Sequence, residues 1–244
     1  MADWKDLVDG KTSDLLKRAA QCQLELGVEG IIIDGNNIEE KKMSLIANGM
    51  VKKRKGGYKS LAAHEKAIHE CQNCPLGATR TNFVYGTGNP KAGIIFIGEA
   101  PGRDEDLKGE PFVGRAGQLL DKILAAINFG RDEIYIANIL KCRPPNNRDP
   151  QPDEMRTCMP YLLEQIRLIK PKIICALGRV AAQALLETST PLGKLRKQWH
   201  DFGGIPFLVT YHPAALLRNP AFKKDCWEDV QILRAKYDEL TVEK

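Results

Sequence analysis

The sequence predicts an α/β protein with a mainly parallel four-stranded sheet covered by helices on both faces. Short apolar runs such as 94–97 alternate with longer stretches in which apolar residues recur at helical spacing. Strands that are apolar throughout are typical of parallel sheets with both faces buried. The chain has 244 residues, 43% of them hydrophobic and 27% charged. This is enough for one well-packed core, or for a domain with an appendage.

The elements follow one another along the chain as strands and helices in alternation. Strands are predicted at 91–98, 133–138, 171–178 and 205–211, where apolar residues are continuous and the first run ends in glycine. Helices are predicted at 61–70, 116–128, 152–169, 179–187 and 221–240. Asp153 and Glu154 lie in the first turn of helix 152–169, where acidic residues favour a helix N-terminus.

Residues 1–60 differ from the rest, and we expect an N-terminal extension followed by a domain at 61–244. Apolar residues at helical spacing predict an amphipathic helix at 3–26. The basic run 52–55 precedes Gly56 and Gly57, which indicates a linker. The linker is either a solvated tether, which we favour, or an arm that grips phosphates. The extension also suits the binding of a replication or repair protein.

Composition and charge exclude several classes of protein. The apolar runs are far shorter than the roughly 20 residues of a membrane-spanning helix, and the first residues lack the pattern of a secretory signal. We therefore expect a cytoplasmic, monomeric protein. A net charge of +5 permits a nucleic-acid partner without requiring one. Seven cysteines, an odd number, indicate metal binding or buried thiols more than disulfides.

Four cysteines have the spacing of a metal or cluster site. Cys71 and Cys74 form a CxxC pair, and Cys142 and Cys158 follow the second strand. Four thiolates from two distant segments can hold zinc or a 4Fe-4S cluster, and spacing alone does not choose between them. Cys175 lies inside a predicted strand and is expected to be a small core residue.

Polar residues follow several of the predicted strands. They are Glu99 within 98–102, Asn138 and His212. Because ligands of parallel sheets bind at the carboxyl ends of the strands, these side chains are expected to share one site.

Four segments around these residues resemble the motifs of the family 4 uracil-DNA glycosylases. The segments are 98–102 (Gly-Glu-Ala-Pro-Gly), 110–114, 137–145 and 212–220. The resemblance covers about 61–240, with the motifs in order. It implies a three-layer α/β/α sandwich, uracil-containing DNA as the substrate, and a 4Fe-4S cluster rather than zinc. The cluster ligands that it implies are Cys71, Cys74, Cys142 and Cys158.

The chemistry of glycosidic cleavage agrees with the catalytic residues, Glu99 and His212. Breaking the bond develops positive charge on the sugar and negative charge on the departing base. The Glu99 carboxylate is expected to stabilise the sugar or to orient the attacking water. His212 is expected to donate a hydrogen bond to the uracil oxygen that gains charge.

Further residues are expected to bind uracil. The Asn138 amide matches the N3–H and O4 groups of uracil and mismatches cytosine. Phe112 is expected to stack on the flipped base. Gly98 and the small Ala100 let the backbone approach the base. Glu105 matches a pocket glutamate of the family that helps to exclude the thymine methyl group.

DNA binding is expected from residues on both sides of this pocket. Leu216 or Leu217 is expected to wedge into the space that the flipped base leaves. Basic residues are expected to contact phosphates, namely Lys141, Arg143, Arg148, Arg218, Lys223 and Lys224.

Two alternatives stay open. One is a relative that crosslinks to uracil-DNA; such proteins carry a nucleophilic histidine in the loop that here, at 141–148, has none. They also carry glutamine at the position of Ala100. The other alternative is a noncatalytic iron–sulfur DNA-binding module. We expect a monofunctional glycosylase, because the motifs offer no lysine nucleophile.

Overall fold

The computed structural model describes residues 57–242, which form one mixed sheet with helices on both sides. The strands are β1 Thr87–Gly88, β2 Ile94–Gly98, β3 Tyr135–Asn138, β4 Ile173–Leu177, β5 His200–Phe202 and β6 Ile205–Thr210. The helices are α1 Leu61–Ile68, α2 Leu76–Thr79, α3 Arg103–Lys108, α4 Arg115–Ala126, α5 Pro152–Ile169, α6 Arg179–Leu185, α7 Leu192–Leu195, α8 Pro213–Arg218 and α9 Phe222–Val242. A short 3-10 turn occupies Pro145–Asn147.

The sheet has the order β1-β3-β2-β4-β6-β5. The central strands β3, β2, β4 and β6 are parallel, which confirms the predicted four-stranded parallel core. Two short antiparallel edge strands, β1 and β5, were not predicted, so the whole sheet has six strands. After β3 the chain returns to the other side of β2. The carboxyl end of β2 is therefore the point where strand order reverses, a usual place for a ligand site.

Both faces of the sheet are buried, which confirms the α/β/α sandwich. Alternate residues of β2 point to opposite faces, so Ile95 and Ile97 join one apolar cluster while Ile94 and Phe96 join the other. The first cluster contains the inward side of α5, and the second contains α4 and α9. All five residues of β2 are buried.

The limits of most elements lie within a few residues of the predicted ones, and α5 matches at both ends. Its first turn carries Glu154, whose carboxylate accepts a hydrogen bond from the Gln151 backbone N–H at 2.8 Å. The helix ends at Lys170, which has a positive φ. The Glu154 carboxylate satisfies a backbone donor at the start of α5, and the left-handed backbone of Lys170 ends the helix.

The expected N-terminal extension lies almost entirely outside the described residues. At the start of the described chain, the Tyr58 N–H donates to Glu164 of α5 at 3.1 Å, and the Arg167 guanidinium donates to the Tyr58 carbonyl at 2.9 Å. The division at residue 60 stays a prediction. Between residues 57 and 242, no helix is long and apolar enough to cross a membrane.

Candidate active site

At the carboxyl end of β2, the Phe112 ring and the Asn138 amide both lie close to Gly98. Gly98 pairs with Asn138 across the two strands. A Cβ atom at Gly98 would lie 2.6 Å from Cζ of Phe112 and closer still to Oδ1 of Asn138. Only a residue without a side chain leaves room for both groups. Gly98, Phe112 and Asn138, all expected to bind uracil, therefore lie close together at the carboxyl end of β2.

Asn138 carries a buried polar atom without a partner. The residue is 2% exposed, and its Oδ1 has no hydrogen-bond partner among the described residues. Buried amide oxygens are nearly always paired, and leaving one unpaired costs about 1–3 kcal/mol. An unpaired acceptor at the carboxyl end of β3 is therefore suited to a ligand that brings a hydrogen-bond donor.

Phe112 is held in an unusual backbone conformation. Its φ is 54°, a left-handed value that a bulky residue rarely adopts, and its side chain is buried. The Arg131 guanidinium donates to the Phe112 carbonyl at 3.0 Å and also to the Pro111 carbonyl. Gly117 of α4 passes so close to the Phe112 carbonyl that a Cβ atom there would overlap it. The ring is therefore fixed in place by its own backbone.

Glu105 binds backbone groups on both sides of the pocket. Its carboxylate accepts hydrogen bonds from the N–H groups of Gly102 at 3.1 Å and of Val113 and Gly114 at 3.0 Å. Both oxygens are thus engaged in tying the loop after β2 to the loop that carries Phe112. This geometry gives Glu105 a role in shaping the pocket, and its expected part in binding uracil and excluding the thymine methyl group stays a prediction.

His212 begins α8 with its ring turned toward Phe112. The ring centroids are 5.4 Å apart. Nδ1 accepts a hydrogen bond from the Ala214 N–H at 3.1 Å, so the proton of the neutral ring must be on Nε2. Burial, with the nearby charge of Arg218, lowers the pKa of His212 to about 4. The imidazole is therefore neutral at pH 7 and offers one N–H donor.

Glu99 follows Gly98 and is half-buried, as is the neighbouring Ala100. Burial raises the pKa of the Glu99 carboxyl above its usual value; the charge of Asp149 adds to the rise, and the guanidinium groups of Arg179 and Arg218 oppose it. Arg179 also pairs with Asp149 at 2.9 Å. The expected catalytic carboxylate thus lies among charged groups from the loop after β3, the start of α6 and the end of α8. Sequence reasoning missed Arg179, although its place directly after Gly178 at a strand end was a usable signal.

The four candidate cysteines pack in or against one apolar cluster. Three of their sulfur atoms lie within hydrogen-bond distance of a polar group. The Lys141 N–H lies 3.3 Å from Cys158 Sγ, Arg80 Nη1 lies 3.4 Å from Cys142 Sγ, and the Tyr161 hydroxyl lies 3.1 Å from Cys71 Sγ. In the part of the chain that the structure describes, no set of three or more His, Cys, Asp or Glu side chains is arranged to hold a single metal ion.

Two of the expected DNA contacts are placed differently by the structure. Lys141 is 0% exposed, and its ammonium donates to protein oxygens instead of facing solvent. Leu216 is 1% exposed in the second apolar cluster, whereas Leu217 is 39% exposed. A lysine cannot reach phosphate from the core, and a wedge must be free to enter DNA. Of the two leucines, the geometry therefore favours Leu217.

The remaining basic candidates lie at or near the surface. Arg218, Lys223 and Lys224 are exposed, and Arg143 and Arg148 are half-buried. The Arg148 guanidinium donates to both oxygens of Glu154, at 2.9 and 2.5 Å. Because its charge is paired with Glu154, Arg148 offers less positive charge for binding phosphate than the sequence indicates.

Comparison with known proteins identifies the family of the chain. The profile of the uracil DNA glycosylase superfamily matches residues 85–231. A type-4 uracil-DNA glycosylase of Archaeoglobus fulgidus is 48% identical over an alignment of 172 residues that covers 67% of this chain and 86% of the relative. The type-4 uracil-DNA glycosylases of Saccharolobus solfataricus and Pyrobaculum aerophilum are 46% and 42% identical, over 66% and 67% of this chain and 79% and 87% of their own lengths. The chain therefore belongs to the uracil-DNA glycosylase superfamily and, within it, to the type-4 uracil-DNA glycosylases.

Proposed function

We propose that this protein hydrolyses the N-glycosidic bond of uracil in single- and double-stranded DNA, releases free uracil and leaves an abasic site, and so initiates base-excision repair. The observation that carries the proposal is the buried, unpaired Oδ1 of Asn138 beside the Phe112 ring and the His212 imidazole. A cytoplasmic enzyme that acts on chromosomal DNA fits this role.

Asn138 selects the base. Its Oδ1 accepts the N3–H of uracil, and its Nδ2 donates to O4. Cytosine presents an acceptor and an amino group at the same positions, so it leaves the buried amide unpaired at a cost of about 1–3 kcal/mol for each mismatched group. Phe112 stacks on the ring of the base, and its fixed backbone keeps this platform ready before DNA binds.

His212 and Glu99 act on opposite charges that develop during cleavage. The Nε2–H of His212 donates to the uracil oxygen that becomes negative, and a neutral donor suffices because uracil leaves as a stabilised anion. The Glu99 carboxylate stabilises the positive sugar or orients the water that attacks it. The base leaves after flipping from the stack, at a cost of a few kcal/mol.

The enzyme is monofunctional. A glycosylase that also cuts the DNA backbone uses an amine nucleophile on the sugar carbon. Lys141, the lysine nearest in sequence to Asn138, is buried, and its Nζ donates to Asn138 O at 2.9 Å and to Gln165 Oε1 at 2.6 Å. It has no path to the sugar. We expect the abasic site to remain uncut.

A 4Fe-4S cluster held by Cys71, Cys74, Cys142 and Cys158 fits the donor set. Cys158, Cys142 and Cys71 lie within hydrogen-bond distance of the Lys141 backbone N–H, the Arg80 guanidinium and the Tyr161 hydroxyl, and hydrogen bonds to sulfur tune the potential of such clusters. These four cysteines would hold the cluster as thiolates. When bound, the cluster supplies a structural tie between the CxxC segment, the loop after β3 and α5.

DNA contacts complete the proposal. Leu217 is exposed at the end of α8, within six residues of His212, and enters the space of the flipped base. Arg218 and Arg179 lie near enough to Glu99 to affect its charge, so they are placed to hold the phosphates around the flipped nucleotide. The enzyme is expected to act as a monomer.

The test is release of uracil from an end-labelled, uracil-containing single strand, resolved on a gel with and without alkali. Cleavage that appears only after alkali is the expected result. Asn138→Ala should slow release about a hundredfold or more, because it removes a group that pairs with the base. Asn89→Ala is the matched control. Asn89 directly follows β1. The end of β1 pairs with the start of β3, so Asn89 lies near the start of β3, whereas Asn138 lies at its carboxyl end.

Two outcomes would contradict the proposal. A shifted, alkali-resistant band would mean covalent capture of the DNA. Binding of the strand without any uracil release, in a preparation that keeps its cluster absorbance near 400 nm, would mean a noncatalytic module.

A further inference from the structure

Lys141 is a buried cation that lacks a buried anion. The residue is 0% exposed, and none of the ion pairs found within residues 57–242 includes it. Burying an ammonium group is costly unless nearby groups compensate its charge. A lysine in such a place therefore requires both hydrogen-bond acceptors and a source of negative charge.

The acceptors connect the base reader to α5. Nζ donates to the Asn138 backbone carbonyl at 2.9 Å and to Gln165 Oε1 at 2.6 Å. Gln165 is also 0% exposed, and its Nε2 donates to the Tyr85 carbonyl at 3.0 Å and to the Tyr135 hydroxyl at 3.3 Å. Tyr135 begins β3 and Asn138 ends it. The network thus holds β3 at both ends.

The cysteines that would hold the cluster lie next to Lys141. Lys141 precedes Cys142 in the chain, and its backbone N–H lies 3.3 Å from Cys158 Sγ. Cys158 lies on α5, two turns before Gln165. When a cluster is bound, the thiolates of Cys142 and Cys158 would supply negative charge near Lys141. Lys141 therefore contacts the cysteine set through its backbone and the base reader through its side chain.

The Asn138 amide depends on this anchoring. Its Oδ1 has no partner among the described residues, so hydrogen bonds of Oδ1 do not fix the orientation of the amide. Its placement follows from the backbone, where Ile139 N donates to Gly98 O at 2.9 Å and Asn138 O accepts from Lys141. We propose that Lys141 is a positioning residue that couples the cysteine set to the base reader, an inference that rests on the function proposed above.

The test compares binding of two single-stranded oligonucleotides by the full chain, prepared anaerobically. One carries 2′-fluoro-2′-deoxyuridine, which resists cleavage, and the other carries a tetrahydrofuran abasic analogue at the same position. Lys141→Met removes the charge and the donors while keeping the length of the side chain. We expect it to weaken binding of the uracil oligonucleotide at least about tenfold and to leave binding of the abasic analogue unchanged. Lys122→Met, at an exposed position of α4, is the control for loss of one positive charge.

Absorbance near 400 nm and iron content, measured on the same preparations, show whether each variant keeps the cluster. They distinguish a loss of positioning from a loss of the cluster. Equal weakening for both oligonucleotides, or unchanged binding of both, would overturn the inference. Should Lys141→Met fail to fold, Gln165→Met removes the acceptor on α5 and should give the same selective loss. A wild-type chain that released no uracil from a cleavable uracil-containing strand would instead overturn the proposed function.

Discussion

Gly98→Ala tests whether the pocket depends on the close approach of Asn138 and Phe112. The new Cβ would lie 2.6 Å from Phe112 Cζ, whereas ordinary contacts begin at 3.4 Å, so the ring must move by about 0.8 Å. The amide oxygen, which is nearer still, must move as well. Gly98 is not among the residues with positive φ, so an alanine backbone fits there without strain. The substitution therefore displaces the base-binding groups and leaves the fold intact.

Misplacement of reacting groups by about 1 Å costs roughly a hundredfold in rate. We therefore expect single-turnover release of uracil to slow by about that factor in Gly98→Ala, with the fold kept and the free energy of unfolding lowered by about 1–3 kcal/mol because the site is overpacked. The measurement is rapid-quench analysis of a labelled uracil-containing single strand with enzyme in excess. Circular dichroism on the same preparation checks the fold.

Gly193→Ala is the matched control, because a Cβ atom at this exposed position in α7 meets nothing within 4 Å. It should leave the rate unchanged. A Gly98→Ala enzyme that released uracil at more than about a third of the wild-type rate would refute the convergence of amide and ring, since such a clash should cost far more.

Three further predictions follow from burial and charge. Because the pKa of His212 is about 4, its ring is neutral above that pH and protonated below it. The rate of uracil release should therefore show no step near pH 6.5. A step at that pH that is absent from His212→Gln would contradict this prediction. Leu217→Ala should slow release from double-stranded more than from single-stranded DNA, while Leu216→Ala should instead lower the free energy of unfolding by about 2–5 kcal/mol in urea. Asp229→Ala should lower the free energy of unfolding in urea by about 1–3 kcal/mol, because it leaves the buried Arg196 with the longer, more exposed pair to Asp225 in place of its buried partner, whereas Glu228→Ala, at a more exposed ion pair, should cost less than about 1 kcal/mol.

The regular elements were predictable because their signals are local. Helix α5 carries its start and its apolar face in its own sequence, and strands β2, β4 and β6 are continuous apolar runs. The edge strands Thr87–Gly88 and His200–Phe202 were missed, since two or three residues are too few to show a period. Their pairing is decided by the neighbouring strand, not by their own composition.

The site was predictable where motif residues follow strands, and less so where burial decides the role. Lys141 has the composition of a phosphate contact, but its burial depends on Gln165, which is distant in the sequence. The choice between Leu216 and Leu217 depends on which side of α8 faces the core. Arg131 carries no signal in the sequence, because its function is to bind the carbonyls of Pro111 and Phe112.

The Asn138 side-chain oxygen, which has no hydrogen-bond partner among the described residues, favours function but lowers stability. Without a hydrogen-bond partner among residues 57–242, this oxygen costs about 1–3 kcal/mol, and an apolar side chain of similar size would remove that cost. Selection for heat resistance alone would therefore replace Asn138, and selection for discrimination between uracil and cytosine retains it. Free uracil supplies the missing donor, so the product should raise the melting temperature and linger in the pocket after the bond is cut.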